Sequence, residues 1–234
     1  MGASYFRQGG ANATDNRKSA LLHPLLPRHA AAPVAMMLAV NALTFSGTRL
    51  LHTGIAPRSL ATALDAAIPF VPAMIVIYLL AFIHWFLGYL VLAHEPKRIC
   101  WRYALAFSAA LLLGGVCFLV FPTVMERPVP EGRDCFSRLV AWIYAIDTPD
   151  NLFPSFHCLQ SWLFTRLLWH SPRVCKPWKL ASAVFTFAVF AAVLLVKQHV
   201  LVDIPAGVIA AELGLLLTRP LFRGQKQTAA AAEA

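Results

Sequence analysis

His199 and Asp203 stand in the run Lys197-Gln198-His199-Val200-Leu201-Val202-Asp203, at the junction of two long apolar segments. Spaced four apart, an imidazole and a carboxylate share one face of a helix. Ionisable groups at the rim of a hydrocarbon layer are costly to desolvate, so they mark a functional site. A second imidazole, His157, follows Pro154-Ser155-Phe156 at the head of another apolar run. Pro and Ser suit the first turn of a helix, where unpaired backbone N–H groups attract an anion. Arg127, before Pro128, offers a planar fork of donors and Lys197 a point charge, both suited to phosphate oxygens. Two imidazoles beside a phosphate fit covalent phosphoryl transfer, one ring attacking phosphorus and the other protonating the departing oxygen. A carboxylate on one nitrogen of His199 would fix its tautomer and leave the other free to attack. The expected catalytic set is therefore His199, His157 and Asp203, with Arg127, Ser155 and Lys197 holding the phosphate. A metal-assisted route needs several carboxylates converging with the histidines. Near them stand only Asp203 and, in the adjoining loop, Asp147 and Asp150, so neither a metal nor a cofactor is expected.

These residues must be positioned by membrane helices. Of 234 residues, 59% are hydrophobic and 13% charged, and the mean hydropathy is +0.63, which leaves too little polar surface for an ordinary soluble domain. A bilayer is crossed by about 20 apolar residues in helical form. Six runs qualify, at 33–51, 69–92, 103–121, 156–169, 180–196 and 200–217, and the fold class expected is an all-α polytopic bundle of about six transmembrane helices. The first run carries Asn41, Thr44, Ser46 and Thr48, and the fourth is short. The chain divides into a tail at 1–32, a membrane domain at 33–218 and a second tail at 219–234.

Basic residues concentrate in cytoplasmic segments. Six crossings put both tails on one side, and that side holds 14 of the 20 Lys and Arg residues, against seven of the 11 acids on the other. The net charge of +9 follows from this bias, so no nucleic-acid partner is needed to explain it. The count predicts cytoplasmic termini, with His157, His199 and Asp203 sharing one depth on the outer face, in a cell (inner) membrane. The segment 57–69 has apolar residues at helical spacing and is expected to lie along the outer surface. The connection at 122–152 is long enough to have a task of its own. Of the five cysteines only Cys135 falls in an outer loop, so no intramolecular disulfide is expected.

Taken in order, Arg127-Pro128, Pro154-Ser155-Phe156-His157 and His199 with Asp203 resemble the signature of the type 2 phosphatidic acid phosphatase superfamily: Lys-x6-Arg-Pro, Pro-Ser-Gly-His and Ser-Arg-x5-His-x3-Asp. The likeness covers roughly 120–207. It implies a nucleophilic, transiently phosphorylated His199, an orienting Asp203, His157 as general acid, a six-helix membrane fold and metal-independent chemistry. The first Lys of the pattern falls on Val120, the Gly on Phe156, and the Ser-Arg pair on Ala192 and Val193. Lys197 is the candidate replacement for the missing cations. The run Asp147 to His157, with Lys197-Gln198-His199, is more similar to the branch containing inositol phosphorylceramide synthases. The resemblance thus implies a lipid phosphate substrate, with hydrolysis and transfer to an alcohol as alternatives. Membrane lipids are the remaining expected partners. Two other classes compete: a haem- or metal-binding membrane protein with His157 and His199 as axial ligands, and a catalytically inactive relative retained for binding.

Overall fold

A computed structural model describes residues 26–51 and 54–222. Among these residues it is helical, with no strand and two isolated bridge pairs. The helices are α1 (Arg28–Ala42), α2 (Ala63–Ala67), α3 (Ile75–His94), α4 (Lys97–Val120), α5 (Cys135–Ile146), α6 (Phe156–His170), α7 (Lys176–Leu195) and α8 (Asp203–Thr218). A wide π turn and a 3-10 turn extend α1 to Leu50, a 3-10 turn leads into α3 from Pro72, and another continues α8 to Phe222. Counted with these turns, five helices are long and apolar enough to cross a membrane: Arg28–Leu50, Pro72–His94, Lys97–Val120, Lys176–Leu195 and Asp203–Phe222. The chain is accordingly a multi-pass membrane protein by length and composition.

The fourth expected span behaves differently. α6 has 15 residues, about 22 Å of helix against a hydrocarbon thickness of about 30 Å. It packs against α3, α4, α7 and α8, and most of its side chains are buried, including Phe156, Leu159, Leu163, Phe164 and Leu167. At its C-terminal end Ser171 donates to Glu95 Oε1 just beyond α3, and the Glu95 carbonyl lies 3.0 Å from His29 Nε2 at the start of α1. That end of α6 is level with its neighbours. The other end is recessed. His157 stacks on Tyr78 of α3, ring centroids 4.3 Å apart, six residues inside the helical stretch that begins at Pro72. The Phe156 ring sits against Gly114 of α4, six residues short of the end of α4 at Val120. At 1.5 Å per residue both neighbours place the start of α6 about 9 Å below their own ends.

The interior is held by packing and by a short polar ladder. His84 Nε2 lies 2.8 Å from Ser182 Oγ, Thr165 Oγ1 lies 2.8 Å from that hydroxyl and 2.7 Å from Thr186 Oγ1, and Trp85 Nε1 donates to Ser161 Oγ at 2.9 Å. These bonds join α3, α6 and α7 where no water competes, the setting in which polar side chains act as interhelical links. His84 is thus a hydrogen-bonded structural residue. α8 approaches the start of α6 through Gly207, where a Cβ would stand 2.6 Å from the Ser155 carbonyl. Gly207→Ala should therefore push α8 away and cost about 1–3 kcal/mol through overpacking. Thermal unfolding in detergent checks this, and an unchanged midpoint would refute the close approach.

The connections differ from expectation in two places. Of the segment 57–69 only α2 is helical, begun by a capping box in which Thr62 Oγ1 accepts from Asp65 N and the Asp65 carboxylate accepts from Thr62 N. The 122–152 connection contains α5, whose N-cap Asp134 accepts from Phe136 N and Ser137 N. α5 buries Val140 and Ile143 while exposing Phe136, Leu139, Trp142 and Ile146, the pattern of a helix resting at an apolar boundary. All five cysteines are free thiols.

Candidate active site

α7 ends at Leu195 and α8 begins at Asp203, so His199 belongs to the turn between them. The expected helical face shared by His199 and Asp203 is not formed. Lys197 has φ +52°, a left-handed conformation that ends α7, and the Gln198 and His199 N–H groups both fold back onto the Val193 carbonyl at 2.9 and 3.1 Å. The pair still meets by another route. Asp203, fully buried as the first residue of α8, turns Oδ2 back to accept from Val200 N at 3.0 Å and from His199 Nδ1 at 3.1 Å. A carboxylate only accepts, so this contact places the hydrogen on Nδ1 and leaves a lone pair on Nε2. No described residue hydrogen-bonds Nε2, and His199 borders a cavity of 660 Å³ together with Thr62, Asp65, Glu126 and Lys197.

His157 reaches the same place from α6, its ring centroid 6.2 Å from that of His199. Three aromatic rings from α3 surround it: Tyr78 at 4.3 Å, Trp85 at 5.1 Å and Phe82 at 5.7 Å. Its Nε2 is buried without a protein partner. α6 and α8 are tied together at this level by Ser155 N donating to the Asp203 carbonyl at 3.1 Å. Ser155 itself is fully buried and caps α6, its hydroxyl accepting from Cys158 N and its carbonyl from Leu159 N. Of the N–H groups expected to attract an anion, those of Ser155 and Cys158 are therefore already engaged.

Arg127 joins the site through Gln198. Its Nη2 donates to Gln198 Oε1 and its Nη1 to the Asp147 carbonyl, both at 2.5 Å, while the guanidinium lies 4.8 Å from the Tyr144 ring centroid. Burial lowers the affinity of Arg127 for its proton, and the nearby Asp147 carboxylate works against that shift. Asp147 and Asp150 are themselves paired with Arg49 at 2.9 and 2.7 Å, which removes both as free acids near the histidines. The 147–151 loop is anchored to the end of the first span by Asn151 Nδ2, which donates to Thr48 Oγ1 and to the Phe45 carbonyl. Tyr144 donates to the Val196 carbonyl at 2.7 Å and so fixes α5 against the end of α7.

Lys197 is directed elsewhere. Its ammonium donates to the carbonyls of Asp65 and Ile68 at 2.8 and 2.6 Å, closing the C-terminal end of α2. The same segment is clasped from the other side, because Asp65 Oδ1 accepts from Leu201 N at 2.6 Å. Burial pushes the Asp65 carboxyl up, but the Thr62 hydroxyl and the Leu201 and Thr62 N–H groups outweigh it and hold the group below its ordinary range. Lys197 and Asp65 thus brace the His199 turn, and the expected cation for phosphate is occupied by carbonyls.

Four buried polar atoms of this cluster have no protein partner: Arg127 Nε, His157 Nε2, Gln198 Nε2 and Asp203 Oδ1. Buried groups of this kind are costly unless something pairs with them. Gln198, exposed by only 2%, was not expected in the site, nor were Tyr78, Phe82 and Trp85. Gln198 carried a signal in its adjacency to His199, whereas an aromatic side chain in an apolar run looks the same whether it meets lipid or a histidine. No family model, curated protein or solved structure matches this chain.

Proposed function

We propose that this chain is a membrane-embedded phosphoryl-transfer enzyme acting on lipid phosphates, of the type 2 phosphatidic acid phosphatase kind that its motifs resemble. The observation that carries the reading is His199, with Nδ1 held by buried Asp203, Nε2 without a hydrogen-bond partner among the described residues, the residue itself bordering a cavity, and a second imidazole 6.2 Å away. On this reading Nε2 attacks phosphorus, the bond to the lipid oxygen breaks, and His157 gives its proton to that oxygen. Water then attacks the phosphohistidine, His157 takes back a proton, and phosphate leaves with His199 restored. Arg127 Nε and Gln198 Nε2 are donors with no other partner, and they supply what Val120, Ala192 and Val193 do not. The exposed apolar helix faces support a substrate delivered from the membrane, and the bias of Lys and Arg toward the side of the termini supports a site on the outer face.

A phosphoenzyme trap tests this directly. Purified protein incubated with labelled phosphatidic acid or a polyprenyl diphosphate should acquire label that is lost in acid and kept in alkali, in chelator as well as without it. Protein that takes up no such label from either lipid, or shows the absorbance of bound haem, would defeat the proposal.

One observation favours transfer as the second reading. A phosphomonoester leaves only phosphoryl on His199, which needs no cavity of 660 Å³ beside the ring. A phosphodiester leaves its polar head group there, and the Glu126 carboxylate on the wall is suited to hydroxyl donors. Release of a diacylglycerol without inorganic phosphate would select this reading.

A further inference from the structure

We infer that the groove between α1 and α3 holds the hydrocarbon chain of the lipid alcohol that leaves from His157. This rests on the phosphoryl-transfer reading and adds where the lipid lies. The groove has a volume of 470 Å³ and is walled by Val34 and Leu38 of α1 and by Phe82, Trp85, Phe86 and Leu90 of α3. Leu38, Phe82 and Phe86 are 51%, 49% and 58% exposed, so it opens on the outside of the bundle where lipid chains run. Its inner side is closed by Gln160 Nε2 donating to Asn41 Oδ1 at 3.1 Å, and apart from these amides and Tyr89 its lining is apolar.

Continuity with the site determines the occupant. Phe82 and Trp85 line the groove and also flank the His157 ring, at 5.7 and 5.1 Å. The oxygen that departs must sit at His157 to receive its proton, so the chain attached to it starts beside these two rings and has an apolar trough to follow. The 660 Å³ cavity is reached from His199 and shares no lining residue with the groove. The two therefore separate the parts of one substrate: the group remaining on phosphorus at His199, and the chain of the departing alcohol at His157.

A photoreactive side chain tests the assignment in the full-length protein. Phe86→p-benzoylphenylalanine is compared with the same replacement at Phe187, which is equally exposed on α7 outside the groove. Both proteins are placed in phosphatidylcholine vesicles carrying a minor share of phosphatidic acid. Position 86 should capture phosphatidic acid several-fold above its share of the bilayer, and position 187 in proportion to it. Proportional capture at both positions, a cross-linked dimer from position 86, or a cross-link from it to residues 1–25 would overturn the assignment. Leu38→Trp, which narrows the trough, should raise KM several-fold for long-chain lipid phosphate and leave a dihexanoyl analogue unaffected. Turnover without enrichment at position 86 removes the groove and keeps the enzyme. Enrichment without turnover of any lipid keeps the chain site and removes the reaction.

Discussion

His199→Ala should abolish the alkali-stable phosphoenzyme and lower turnover of lipid phosphates by on the order of 10⁴-fold or more, since no other described side chain is placed to attack. The replacement is mild for the fold. Asp203 Oδ2 keeps its bond from Val200 N, and the turn is still fixed by Lys197 on the α2 carbonyls and by Asp65 on Leu201 N. The loss in stability is limited to about 1–3 kcal/mol for the unpaired carboxylate and the lost packing. Initial rates on a lipid panel, beside a thermal melt of the same preparation, separate chemistry from folding. A variant that melts normally and turns over at the wild-type rate would dispose of His199 as nucleophile.

The second large effect is expected at Asp203. In Asp203→Asn the side-chain oxygen can still accept from Val200 N and His199 Nδ1, and the new amide takes the place of Oδ1, which has no protein partner. Geometry is preserved and the charge is lost. The imidazole then forfeits the carboxylate that fixes its tautomer and stabilises it as positive charge develops on attack, a role worth on the order of 10²- to 10⁴-fold in rate. Asp203→Ala removes the acceptor as well and leaves the Val200 N–H unpaired in a buried turn, so it should lose both rate and stability. The contrast is diagnostic. If Asp203→Asn keeps full activity while Asp203→Ala unfolds, Asp203 is a structural anchor of the α7–α8 turn and nothing more.

Much of this was legible in the chain, and the failures have identifiable causes. Apolar run length located all six bundle helices, because the hydrocarbon requirement leaves little freedom in composition. It also marked the fourth run as short, but it did not reveal the recessed start of α6, which depends on Gly207, Gly114 and their neighbours permitting close approach. The spacing of His199 and Asp203 pointed to a contact that exists, but for the wrong reason: Lys197 breaks the helix with a left-handed backbone, and Asp203 reaches back across a turn. The direction of the Lys197 ammonium cannot be read from sequence once the backbone turns, and it meets the Asp65 and Ile68 carbonyls in place of phosphate. α5 lies in a connection whose Pro and charged residues, from Pro122 to Asp134, mask the apolar stretch after Cys135.

The depth of α6 bears on the fate of a phosphorylated histidine. With its N-terminus about 9 Å below the ends of α3 and α4, and Tyr78, Phe82 and Trp85 crowded around His157, the proposed transfer would be walled by aromatic rings on the His157 side, and water would enter through the cavity beside His199. Hydrolysis would then be limited by the access of water through that cavity. A phosphohistidine formed there, on the proposed mechanism, would be open to a membrane-dissolved alcohol as well as to water. A short central helix would in this way bias the partition between the two acceptors without touching either of them.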